Sequence, residues 1–152
     1  MFASGGRSRG GAYLESMRWE EIDHTADVGI RVEAASREEL FSGACRAMFE
    51  LMYGPQDDPA PTRKRSVEVS GDSDTDLLWE FLSEALGWAE VDRAAYYEAD
   101  VVVGDGSLSA DLSGPSIDDL ELVGPPIKAV TYHGLEVKQT GSNWTATVIL
   151  DV

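Results

Sequence analysis

Two aspartates at opposite ends of the sequence are the groups best suited to chemistry. Asp27 closes the turn His24-Thr25-Ala26-Asp27, immediately before the alternating stretch GIRVEA at 29–34. Asp151 follows the apolar run Val148-Ile149-Leu150 and precedes Val152, the last residue given. An aspartate at the end of a packed strand is a fixed carboxylate, and Val152 adds main-chain or terminal oxygen beside it. If the first and last strands pair, these oxygens converge. Hard divalent cations (calcium, magnesium or manganese) take carboxylate and carbonyl oxygen. Two aspartates and a terminal carboxylate would hold such an ion and leave coordination positions open. The alternative for Asp27 is a turn residue that bonds nearby backbone N–H groups, and spacing alone does not separate the two.

Other groups are ambiguous in the same way. Lys128 lies in a mostly apolar stretch, where its stem can cover core while its amine reaches water. It can equally stand as a cation beside the acidic pair or a partner's anionic group. Glu84 falls between residues expected to face inward on a helix, with the same two readings. The run Asp72-Ser73-Asp74-Thr75-Asp76 resembles the opening of a calcium loop but lacks its central glycine and closing glutamate. It reads as a helix cap in a solvated turn.

Several chemistries are excluded. His24 and His133 are the only histidines, too few for a His-rich zinc site. No phosphate loop and no dinucleotide fingerprint occurs. Cys45 is the single cysteine, fits no zinc spacing, and falls on the apolar side of an expected helix, as a core thiol does. Twenty-eight acidic residues against 12 basic ones give a formal net charge of −16. Phosphate backbones repel such a chain, which argues against autonomous nucleic-acid binding. A cation site or docking on a basic protein suits it; solubility alone would look the same. No apolar run approaches the roughly 18 residues of a membrane span, and residues 1–17 lack the apolar stretch of a secretory signal. They read as a disordered tail ahead of one domain, 18–152, in a reducing cytoplasm.

The elements that must position these groups follow from periodicity. Strands are expected over 19–23, 29–34, 64–70, 96–103, 107–112, 127–140 and 144–152. Ser36 and Glu39 form a capping box ahead of a helix over 37–53, with Leu40, Phe41, Ala44, Ala47, Met48, Leu51 and Met52 on one stripe. Gly54-Pro55 ends it. A second helix is expected over 75–89, with Asp74 as its N-cap. Gly104-Asp105-Gly106 and Gly141-Ser142-Asn143 read as hairpin turns, and the Pro-rich 113–126 as a loop. The last strand ends almost wholly apolar, which suits an interior strand. The order implies an α+β two-layer sandwich, with a largely antiparallel sheet and two helices on one face.

The stretches WEEIDHTADVGIRV (19–32), AMFELM (47–52), DLLWEFLSEAL (76–86), IKAVTYHGLEV (127–137) and WTATVILDV (144–152) together resemble the archease family. Archeases are accessory proteins of the tRNA-splicing RNA ligase that joins cyclic-phosphate or 3′-phosphate ends to 5′-hydroxyl ends. The resemblance implies a metal site at Asp27 and Asp151, with oxygen from Val152. It implies a functional role for Lys128 and a matching acidic position at Glu84, and it gives His24 a structural or supporting role. It also implies an activator rather than an enzyme, one that promotes transfer of GMP from GTP to a ligase histidine and repeated turnover. From other classes, a metal-dependent hydrolase and a chaperone or adaptor working through protein contacts alone stay open.

Overall fold

The computed structural model describes residues 17–23, 27–57 and 60–152. The elements run β1 (Arg18–Asp23), β2 (Val28–Ala34), α1 (Arg37–Tyr53), β3 (Arg63–Ser70), α2 (Asp74–Asp92), β4 (Glu98–Val103), β5 (Ser107–Gly114), β6 (Ala129–Thr140) and β7 (Asn143–Asp151). A single 3-10 turn, Ile117–Asp119, interrupts the loop expected at 113–126. Residues 1–16 of the expected tail lie outside the described residues. Met17 is buried against Gly43, where an added Cβ would fall 2.4 Å from the methionine Cγ.

The fold is α+β with antiparallel strand pairing throughout, as the element order implied. The strands divide between two sheets, one ordered β1-β2-β7-β6 and one ordered β3-β5-β4. β7 is an interior strand, as its apolar run required. The helices join the two sheets. α1 packs on β1, β2 and β7 of the larger sheet and on β4 of the smaller, and α2 packs on β6 and on β3 and β5.

That placement changes what α1 buries. The sequence shows one apolar stripe, yet Gly43, Cys45, Arg46, Phe49 and Glu50 are buried too. A helix covered on nearly every side belongs to the interior of a domain, and periodicity misses this because Arg46 and Glu50 are charged. α2 keeps a single buried face of Leu77, Leu78, Phe81, Leu82, Ala85 and Ala89.

The caps follow local chemistry. The Ser36 hydroxyl accepts from the Glu39 N–H at 3.1 Å, as expected. For α2 the cap is Ser73, which accepts from the Asp76 N–H at 3.1 Å, and not Asp74. Asp74 takes the first helical position, where a carboxylate favours the helix dipole, and its Oδ1 accepts from Arg37 at 3.0 Å. α2 also runs to Asp92, past the expected stop. It ends on Arg93 at φ 52° and ψ 53°, with no glycine to announce the left-handed residue.

Two glycines in the smaller half have opposite surroundings. A Cβ at Gly114 would sit 1.8 Å from the Ala95 carbonyl oxygen, a backbone atom that cannot give way, whereas one at Gly87 in α2 meets nothing within 4 Å. Gly114→Ala should therefore destabilise by about 3 kcal/mol or more, the upper end of overpacking costs. Gly87→Ala should stabilise by about 0.5–1 kcal/mol through helix propensity. Urea unfolding of the two variants measures both.

Candidate metal centre at the shared end of β2, β7 and β6

The β2–β7 register runs from Ala34 opposite Trp144 to Val28 opposite Leu150. Asp27, in a bend just ahead of β2, and Asp151, at the end of β7, each lie one residue beyond that last pair. From the other side β6 pairs Ala129 with Asp151, and the Lys128 N–H donates to the Asp151 carbonyl at 2.7 Å. The interior strand thus carries Asp151 between residue 27 and residues 128–129.

Strand alternation sets the direction of the Asp151 carboxylate. Ala146, Val148 and Leu150 belong to the core, and Val152 packs against it. Asp151, between the last two, is exposed on the opposite, outer face of the sheet. Asp27 is half-buried in the bend ahead of β2. That outer face has an apolar floor. Ile149 is only 3% exposed although it points away from the main core. Ile22 and Ile149 close over Gly29, where a Cβ would lie 2.7 Å from Ile22 Cγ1 and 3.4 Å from Ile149 Cδ1. Gly134, at φ +87° in the irregular stretch of β6, approaches Ile149 Cγ1 from the other side, with 3.1 Å to an added Cβ. The two aspartates therefore stand at the rim of a rigid apolar plug.

The donors present are two carboxylates and main-chain oxygen, the set a hard, partly hydrated cation takes. No group of three or more His, Cys, Asp or Glu that could cage a metal occurs among the described residues, so the described residues alone build no closed zinc-type site. His24, expected in a supporting role, lies outside the described residues.

Lys128 precedes β6 rather than sitting within the strand, and its side chain is exposed rather than laid on core. Glu84 is exposed as well, not inward-facing. Its Oε1 accepts from the Trp88 indole at 3.1 Å. On the same side of α2, the Arg65 guanidinium lies 3.8 Å from the centroid of the Trp88 ring. Arg65 also grips Asp92 through two bonds of 3.0 and 2.7 Å, and the Tyr96 hydroxyl donates to the same carboxylate. Arg65 first, then Tyr96, hold the Asp92 carboxyl below its ordinary range. A carboxyl with a depressed folded pKa contributes stability that is present above the unfolded value of about 3.9 and is lost as pH falls through the folded value. Asp92→Asn should flatten the acid limb of a stability profile below about pH 4, read by thermal melts across pH.

Sequence reasoning missed the buried charge on α1. Arg46 Nε donates to Glu50 Oε2 at 2.9 Å and Arg46 Nη1 to Glu98 Oε2 at 2.7 Å. The Trp19 indole donates to Glu50 Oε1 at 3.0 Å. An Arg and a Glu four apart on one helix were visible in the sequence, but exposed pairs have the same spacing. Cys45 beside them is fully buried, and burial first, then the Glu98 charge, push its thiol up to about 12. It is an inert core thiol, as its position suggested.

The sequence profile of the Archease protein family matches residues 19–152. The chain belongs to the archease family. It is 33% identical over 144 residues to protein archease of Methanosarcina barkeri, covering 91% of this chain and 98% of that one. It is 30% identical over 141 residues to protein archease of Methanopyrus kandleri, covering 90% of this chain and all of the other. Among solved structures it resembles Methanobacterium thermoautotrophicum protein 1598, with a TM-score of 0.72 and 28% identity over 88% of this chain and 98% of that one. The Thermotoga maritima archease, described as a possible chaperone, shares the fold at a TM-score of 0.61 and 19% identity, over 88% of this chain and 96% of that one. No helix among the described residues is long and apolar enough to cross a membrane.

Proposed function

We propose that this archease-family chain is an accessory activator of a tRNA-splicing RNA ligase, working in the cytoplasm and holding a divalent cation at Asp27 and Asp151. The observation that carries this reading is the register that draws residue 27 and residue 151 to one end of the sheet. Family membership supports a ligase as the partner and, as the reaction assisted, GTP-dependent guanylylation of a ligase histidine followed by repeated turnover.

The chain's own residues do three things in this reading. Asp27 and Asp151 present two carboxylates at one end of the sheet, where another protein can reach them. Val152 adds main-chain oxygen, and its side chain, packed on the core, fixes the strand end. Lys128 holds Asp151 through its backbone N–H and leaves its exposed ammonium for an anionic group of the partner, such as a GTP phosphate bound to the ligase. A bound divalent cation would supply charge neutralisation for phosphoryl chemistry on the ligase. Glu84 and His24 have supporting roles. The net charge of −16 steers the chain toward a basic enzyme and away from free RNA.

The test is multiple-turnover ligation by a cognate ligase with GTP and Mn²⁺, with and without substoichiometric amounts of this protein. Added turnovers and faster guanylylation are expected. A ligase indifferent to the protein overturns the reading, and turnover of an RNA or nucleotide by the protein alone would favour a hydrolase instead.

A further inference from the structure

A groove of about 710 Å³ crosses the join between the two sheets, within the ~300–1,000 Å³ range of ligand clefts. Its wall on α2 carries Asp76, Trp79 and Glu80, which share one helical face at i, i+3 and i+4. Asp72 adds a third carboxylate from the turn before the helix, and Tyr132 of β6 faces them. The Trp79 and Tyr132 rings meet edge to face at 5.9 Å. Tyr132 is 52% exposed, a large ring left open to solvent. Its hydroxyl donates to Asp76 Oδ1, and the Trp79 indole donates to the Val130 carbonyl at 2.9 Å, so both rings are held in place. The floor is glycine. Gly71 N donates to Gly106 O at 3.2 Å, and a Cβ at Gly71 would fall 2.8 Å from Asp76 Cβ. The groove is thus a fixed shape with aromatic surface and anionic edges.

We infer that this groove docks an arginine-bearing segment of a partner protein. Three carboxylates and two aromatic rings match a guanidinium, which pairs with carboxylates and stacks on rings, better than they match an ammonium. The acids are spread along the groove, and none of the described residues forms a cage for a single ion, so an extended cationic chain fits where one metal does not. Nucleic acid is repelled by the same edges. Tyr132 points toward α2, so the groove opens on the α2 side of the larger sheet, away from the outer face on which Asp151 is exposed. The inference stands whether or not that partner is the ligase.

The experiment uses the full chain and a fluorescein-labelled Arg-Gly repeat peptide, followed by anisotropy at moderate salt. The protein should bind it, and bind a Lys-Gly repeat several-fold more weakly. The double variant Asp76→Asn/Glu80→Gln and the single variant Tyr132→Ala should each weaken binding at least about tenfold, ~1.4 kcal/mol. Tyr132→Phe keeps the ring and frees the Asp76 carboxylate, so it should retain binding even if Tyr132→Ala perturbs the fold. A charge-matched variant away from the groove, Asp100→Asn/Glu121→Gln, should stay within about twofold. Equal losses in the two double variants would reduce the effect to net charge and overturn the inference. So would absence of peptide binding, or calcium binding at the groove that Asp76→Asn/Glu80→Gln abolishes while the peptide leaves it untouched.

Discussion

Asp27→Ala and Asp151→Ala should each abolish most of the extra ligation turnovers that the protein confers and lower its affinity for Mn²⁺ at least about tenfold. The last pair of the β2–β7 register is Val28 with Leu150, so Asp27 and Asp151 each follow it by one residue, and removing either takes one of the two carboxylates of the proposed site. A divalent ion held by one carboxylate and main-chain oxygen keeps most of its water and little of its affinity. The fold should barely notice Asp151→Ala. Asp151 is exposed beyond the last core residue, and surface changes of this kind usually stay within about 0.5 kcal/mol. Isothermal titration with Mn²⁺ and a thermal melt on the same sample separate the two effects. Full turnover by Asp27→Ala at unchanged metal content would sink the metal-linked account. Lost turnover with intact metal binding would move the aspartates to partner contact.

Arg46→Met should be the most damaging single change in the core among the charged positions. It strands Glu50, whose side chain is wholly buried, without its guanidinium. Burial already pushes the Glu50 carboxyl above its ordinary range, against the opposing pull of Trp19 and Arg46. Breaking a buried pair from one side costs about 3–5 kcal/mol, or roughly 6–20 °C in Tm at this chain length. The Trp19 indole still donates to Glu50, which favours the lower end. The double variant Arg46→Met/Glu50→Leu should recover much of the loss, because a pair replaced on both sides leaves no orphaned charge. Calorimetry on the wild type, the two single variants Arg46→Met and Glu50→Leu, and the double variant gives the coupling. Additive losses would mean that the pair is not the unit.

What the sequence made legible, and what it did not, divides along physical lines. α1 was bounded correctly because its serine cap and its Gly54-Pro55 stop are local chemistry. The hairpin at Gly104–Gly106 was legible for the same reason: Gly104 N–H donates to Ser107 O at 2.8 Å across a turn only a few residues long. α2 was cut short because its left-handed terminus falls on Arg93, a residue with no preference for that conformation. The division of strands between two sheets was not legible, since which strands pair depends on contacts far apart in sequence. In the candidate site, Asp27 and Asp151 could be named from their strand-end positions, while their place at one end of the sheet needed the register. Glu84 and Lys128 stayed ambiguous in the sequence because a long charged side chain next to apolar neighbours reads the same whether it lies over core or points to water; both are exposed. The acids Asp72 and Asp76 were noticed only as part of a helix-capping turn, and their meeting with Tyr132 in one groove was not legible, since its walls come from a turn, a helix and a strand that no spacing connects.

The interior place of β7 has a consequence for how the molecule comes into being. During synthesis β1 and β2 emerge early and can pair as a hairpin, but the strand that must lie beside β2 comes after every other described strand in the chain. β6 waits for it as well, so the larger sheet closes in one late event, with a sequence separation that makes such closure slow. Until then β2 and β6 expose the edges that β7 will cover, which is when a nascent chain is most open to misassembly. A ribosome that stalls before residue 143 would release a chain with α1 and the small sheet encoded in full but with the two aspartates never brought together. A chain that stops before β7 therefore lacks both Asp151 and the strand that joins β2 to β6.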